Sequence, residues 1–86
     1  MEETKVRFTK HAQDKLRLLE AYGFHIDEST VVEAVRNPAR LDRRGEQFLV
    51  LKPIDDEHAL RVVYEVRNDY IVVITLYPVR RKRYGV

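Results

Sequence analysis

The chain has 86 residues, with 16 basic and 14 acidic side chains and a formal net charge of +2. That length allows a single domain, residues 1–86, with one modest core that buries roughly 60–65% of the unfolded surface. With no cysteine, disulfide frameworks, thiolate metal sites and cysteine nucleophiles are excluded. His11, His25 and His58 are too widely spaced to pair at i,i+3 or i,i+4 as metal ligands, so neither a metal nor a cofactor is expected. The opening MEETKVRF lacks the apolar stretch of a signal peptide, and no apolar run approaches the ~18 residues of a membrane span. A soluble, cytoplasmic protein without a membrane partner is the expectation.

Lys5–Phe8 alternates and reads as a first strand. Thr9 is placed to cap a helix running to about Tyr22, with Gly23 as its stop. Ala12, Leu16, Leu19 and Tyr22 recur at helical spacing as its buried stripe. Asp27 caps a second helix, with a side chain placed to accept from the amide of Ser29 or Thr30. Ile26 and Val31 make a hydrophobic staple there, and Val31, Ala34 and Val35 form the inward face. Pro38 ends that helix.

Arg40–Gly45 reads as a polar, charged loop. Glu46–Lys52 reads as a second strand broken by Pro53, and Asp55-Asp56-Glu57 as a solvated acidic turn. Leu60–Val66 and Ile71–Tyr77 are rich in Val, Ile, Tyr and Thr and form a hairpin. Asn68-Asp69 supplies its two-residue loop. That loop sets Val66 against Ile71, Tyr64 against Val73 and Val62 against Thr75. The order β-α-α-β-β-β predicts an α+β domain with two helices on one face of a mostly antiparallel four-stranded sheet. The last strand, apolar on both faces, belongs between its hairpin partner and the first strand.

Common enzyme signatures are absent. Gly23, Gly45 and Gly85 are scattered rather than gathered in a phosphate loop, and Ser29, the one serine, sits in a helix cap. What remains is cationic and phenolic. Arg80, Arg81, Lys82 and Arg83 carry more charge than the whole chain's net +2, so the rest is net negative. Lys52 closes the second strand, Arg61 opens the third, and Arg80–Tyr84 follows the fourth. Antiparallel pairing is expected to gather Lys52, Arg61 and this tail at one end of the sheet. Such a group can hold phosphates, arginine bidentately. RNA cleavage by the 2′-hydroxyl needs little more than a base, cations for the developing charge and an acid for the leaving oxygen. His11, in the first turn of a helix, can serve as a neutral base or hydrogen-bond partner. Each residue also has a plainer reading. Arg61 is a surface residue on an edge strand, Tyr84 packs down the chain end, His11 bonds a nearby carbonyl, and the tail only solubilises.

Phe8–Leu16 (FTKHAQDKL), the Gly23-x-x-Ile26-x-x-x-x-Val31 spacing, the Asn37-Pro38 helix end and Ile74-Thr75-Leu76-Tyr77 resemble an uncharacterised family. Its small domains carry a histidine-alanine motif at the start of helix one and an IT-x-Y last strand. They are grouped with RelE- and BrnT-type toxins of toxin–antitoxin pairs. The resemblance implies a RelE-like fold and metal-independent endoribonuclease activity on mRNA, often ribosome-bound, with an antitoxin masking the site. It implies that Arg61 and Arg81 stabilise the phosphate, Lys52 or His11 assists proton transfer, and Tyr84 orients the nucleotide or acts as acid. Arg80, Lys82, Arg83 and Lys15 would then bind RNA. Two other readings stay open: a non-catalytic module whose basic tail docks RNA or an acidic protein, and a homodimer formed through an exposed sheet edge.

Overall fold

The computed structural model describes residues 4–86. Strand β1 spans Lys5–Phe8, helix α1 Lys10–Ala21 and helix α2 Glu28–Arg36. Strands β2 (Arg40–Arg44), β3 (Gln47–Pro53), β4 (His58–Arg67) and β5 (Tyr70–Arg80) follow, and a one-turn helix α3 (Arg81–Tyr84) closes the chain. The domain is α+β. Its sheet runs β1-β5-β4-β3-β2, antiparallel except for the β1–β5 pair. Among the described residues, no helix is long and apolar enough to cross a membrane.

The helix starts follow their caps. Thr9 Oγ1 accepts from the Ala12 amide at 3.1 Å, and the same hydroxyl donates to the Ile74 carbonyl at 3.1 Å. One side chain thus caps α1 and fastens it to β5. Asp27 accepts from the Thr30 amide at 2.9 Å and from the Ser29 and Thr30 hydroxyls. The Thr30 amide, then those hydroxyls, hold its carboxyl below the usual range. Helix α1 ends at Ala21, one residue before the expected limit. Tyr22, expected in the buried stripe, is 74% exposed.

Ala12 and Leu19 of α1 and Val31, Ala34 and Val35 of α2 pack with Val50, Leu60, Val62, Tyr64, Val73 and Leu76 into one core on a single face of the sheet. The sheet has five strands, not four. Arg40–Arg44, expected as a loop, is an edge strand paired with Gln47–Leu51 across a Gly45-Glu46 turn, where Gly45 takes φ +61°. Its charge hid it: a row of arginines on a sheet edge is how proteins keep an edge from pairing indiscriminately.

The hairpin keeps the expected register near its turn, with Val66 opposite Ile71, Tyr64 opposite Val73 and Asn68 at φ 54°. A bulge between Val63 and Tyr64 then shifts it by one. Val62 faces Leu76 and Val63 faces Thr75. Leu76 therefore enters the helix-side core in place of Thr75, which moves to the other side of the sheet.

Candidate anion-binding site on the open face

Side chains alternate across a strand, so neighbours of the helix-side core residues point to the uncovered face. Leu60 and Val62 lie in the core, which turns Arg61 the other way. There it forms a row across four strands, Arg40–Leu51–Arg61–Tyr77. Helix α3 folds back over this face and lays the Tyr84 ring on the Arg61 guanidinium, 5.1 Å from carbon to ring centroid. Under that ring Arg61 is only 7% exposed, and Leu51 beside it is fully buried. Arg61 Nε is buried with no hydrogen-bond partner, and no carboxylate pairs with the group among the described residues.

A buried guanidinium without a counter-charge is expensive. The desolvation penalty is several kcal/mol per ion, and a desolvated cation–π contact returns about 2 kcal/mol. A bound anion would repay the difference, because opposite charges attract more strongly away from bulk water. Beside Arg61 is a cleft of about 430 Å³ lined also by Arg40, Asp42, Arg44, Leu49 and Tyr84. Arg40 Nε donates to Asp42 at 2.8 Å, while Arg44 has no ion-pair partner among the described residues. Arg43 also lines the cleft and donates to the Gly45 carbonyl at 3.0 Å, so of its four arginines only Arg40 is ion-paired among the described residues.

The other anticipated residues separate into distinct places. Lys52 is opposite Leu60, which puts it on the helix side, away from Arg61 opposite Leu51. Its Nζ donates to the Asn37 carbonyl at 2.7 Å and caps the end of α2. The expected convergence of Lys52 with Arg61 fails because Lys52 pairs with Leu60, the residue next to Arg61, and adjacent residues of a strand point to opposite faces.

Arg81 does not reach Arg61 either. Its guanidinium donates to the main-chain oxygens of Asp55 and Val86, each at 2.9 Å, and its amide donates to the Glu57 carbonyl at 2.9 Å. Arg80 pairs with Glu57 at 3.5 Å. The Asp55 carboxylate in turn holds the acidic turn, accepting from the amides of Glu57 and His58 at 2.8 and 2.6 Å and meeting His58 Nδ1 at 3.1 Å. Desolvation raises the Asp55 carboxyl, but those bonds outweigh it and leave the group below its ordinary range. The turn is a clamp: through Arg81 it seats α3, and through α3 it seats Tyr84 on Arg61. Lys82 and Arg83 are exposed on α3, and Lys15 is half-buried on α1.

His11 reaches the same side of the sheet from its edge. Its Nε2 lies 3.2 Å from Thr75 Oγ1, and Thr75 is two residues along β5 from Tyr77, the partner of Arg61. Beside the bulge, the FTKHA stretch and the Ile74-Thr75-Leu76-Tyr77 stretch meet: Thr9 on Ile74, His11 on Thr75. Sequence reasoning missed Arg40, Asp42, Arg44 and Tyr77 as wall and floor. The available signal was the alternation of Arg40, Asp42 and Arg44 before a Gly-Glu turn.

Residues 8–78 match the family described as "Domain of unknown function (DUF4258)". The chain belongs to this family. The match covers both stretches that meet at the bulge, so in this DUF4258 domain the His11–Thr75 contact joins the first and last matched elements. The solution structure of the conserved hypothetical protein HP0894 from Helicobacter pylori has a similar fold. The two share 21% identity over 88% of this chain and 94% of that one, with a TM-score of 0.53. No curated protein matches.

Proposed function

We propose that this DUF4258 domain is a metal-independent endoribonuclease of the RelE type, the toxin of a toxin–antitoxin pair, and that the open face is its RNA site. One observation carries the reading: Arg61 is buried, charged and without a hydrogen-bond partner at Nε, beside a cleft walled by further arginines. A phosphodiester supplies the missing anion. In the cleavage, the 2′-oxygen attacks the adjacent phosphorus and the P–O5′ bond breaks. The 2′-proton passes to a base, and the leaving 5′-oxygen takes a proton. Arg61 stabilises the charge that builds on the phosphorane oxygens. Tyr84, held on Arg61, orients the nucleotide or donates the proton. His11, which contacts Thr75 on β5, is the base candidate. Lys52 and Arg81 act indirectly, since their side chains are committed to main-chain carbonyls. An acidic antitoxin would dock over the same arginines.

Incubation with RNA, and separately with translating ribosomes, in EDTA tests this reading. Wild type is expected to cleave, and Arg61→Leu to lose about 100-fold or more in rate, the scale of removing one group that stabilises developing charge. Equal cleavage by the two proteins, or none by wild type, overturns the enzyme claim.

One observation favours binding without cleavage: His11 contacts Thr75 and does not line the Arg61 cleft. In that reading RNA affinity falls steeply with salt and depends on Arg61, while the RNA stays intact.

A further inference from the structure

Tyr84 lines a second cleft besides the one it shares with Arg61. This one, of about 390 Å³, is bounded by Phe24, His58, Pro78, Val79, Arg80 and Arg83. Its composition differs from that of the arginine cleft. Phe24 and His58 meet edge to face with ring centroids 5.1 Å apart, which gives it an aromatic corner. His58 is fixed there by Asp55 at Nδ1, so the ring is held in place. Pro78 and Val79 add apolar surface. Arg83 is exposed and has no ion-pair partner among the described residues, whereas Arg80 is already paired with Glu57. An apolar-aromatic cleft with one exposed cation that has no ion-pair partner among the described residues fits a nucleobase and its phosphate: every base has a π-face, and stacking tolerates any sequence.

We infer that the Phe24–His58 cleft is a second nucleotide subsite, which takes the base adjoining the nucleotide whose phosphate sits on Arg61, with Arg83 on the intervening or next phosphate. This rests on the RNA reading of the Arg61 cleft. Tyr84 is the wall common to both clefts, so a single strand leaving one crosses that side chain to enter the other. A duplex cannot do this without unstacking, which makes single-stranded RNA the ligand. The subsite also explains why α3 is held so firmly: Arg81 and the Asp55 turn fix the partition between two adjoining nucleotides.

Arg83 and Lys82 are neighbours on α3 with equal charge and similar exposure. Lys82, which the resemblance put among the RNA-binding residues, lines instead a different cleft with the acidic Asp56 and Glu57 and with Val86, outside this subsite. That gives a matched pair for the test. A single-stranded RNA hexamer is titrated by fluorescence anisotropy against wild type, Arg83→Ala, Lys82→Ala and Arg61→Leu, at several salt concentrations. Amide chemical shifts are followed in parallel. Arg83→Ala is expected to weaken binding about 5- to 20-fold, on the scale of one lost phosphate contact plus part of a stacked base. It should also lower the slope of log affinity against log salt by about 0.7. Lys82→Ala should change affinity less than 2-fold, and wild-type shifts should appear at Phe24, His58 and Val79. Equal losses in the Arg83 and Lys82 variants mean diffuse attraction to a basic tail and overturn the subsite. So does hexamer binding that depends on Arg61 but leaves the Phe24, His58 and Val79 shifts unmoved; the RNA reading then survives alone. If the hexamer does not bind wild type, both readings fall.

Discussion

The two faces of the sheet bury their residues for different ends. On the helix side, Val50, Leu60, Val62, Val73 and Leu76 are fully buried and apolar, and the polar contacts at the rim are satisfied caps such as Thr9 and Lys52. On the open side, one residue over in each strand, Leu49, Leu51 and Val63 are buried as well, but burial there also takes in Arg61, which has no counter-charge among the described residues. The first face is what a domain of this size needs for stability. The second lowers stability, and a feature that does so is where a binding function should be sought. The contrast teaches that burial alone does not mark the core; burial with unmet polar demand marks the site.

The largest effect should come from the helix side. Leu60→Ala removes a fully buried side chain and is expected to destabilise by about 2–5 kcal/mol, enough to unfold much of the population at 37 °C. Chemical denaturation measures it; a loss below about 1 kcal/mol would break the assignment of this face as the core. Its neighbour should behave oppositely. Arg61→Leu replaces an uncompensated buried charge with an apolar group and is expected to raise stability by about 1 kcal/mol while abolishing RNA binding. A variant that is both less stable and still binding would erase the distinction between the faces.

Smaller effects sharpen the contrast. Arg81→Ala frees α3 from the acidic turn; we expect about 1 kcal/mol of lost stability and a several-fold loss of RNA affinity, because Tyr84 is no longer seated on Arg61. If affinity holds while Tyr84 becomes mobile by NMR relaxation, Tyr84 is not part of the site. Lys52→Ala, on the helix side, should leave RNA affinity within 2-fold of wild type.

The smallest effect is on pH dependence. Asp27 and Asp55 have carboxyls held below 3.8, so the folded state binds their protons less readily than the unfolded chain does. Their contribution is present above pH 3.8 and is lost as pH falls through the depressed values. Between pH 7 and 5 stability should be flat on their account, and Asp55→Asn should flatten part of the acid limb. An acid limb unchanged in that variant would mean that the turn is not held by the ionised carboxylate.

Much of the core face could be read from the chain. Asp27, Ile26 and Val31 announce α2 by cap and staple, and the Val-Ile-Tyr run with Asn68-Asp69 announces the hairpin. Three features could not be read, each for a physical reason. Strand β2 is an edge, and edges are written in charge rather than in apolar alternation. The bulge has no signature in Val72–Tyr77: the strand is apolar on both faces, so its pattern does not separate a register that buries Thr75 from the one that buries Leu76. Arg61 was legible as a cation, and its role in the resemblance drew attention to it. Its isolation from Lys52 follows from a one-residue difference in pairing that no local pattern encodes. Arg81 looked like Arg61 in sequence; only the position of the acidic turn separates a residue that clamps from one that binds.

The parallel pairing of β1 with β5 has a consequence for the order in which the protein can be built. Lys5–Phe8 is synthesised well before its partner Tyr70–Val73. Until then the first strand has no edge to join, and Thr9 cannot bond to Ile74. Helix α1 can form early, but without a place to dock. The sheet therefore closes only once β5 has followed β1 out of the ribosome, and folding should be slow for a domain of this kind because its decisive contact spans some 65 residues.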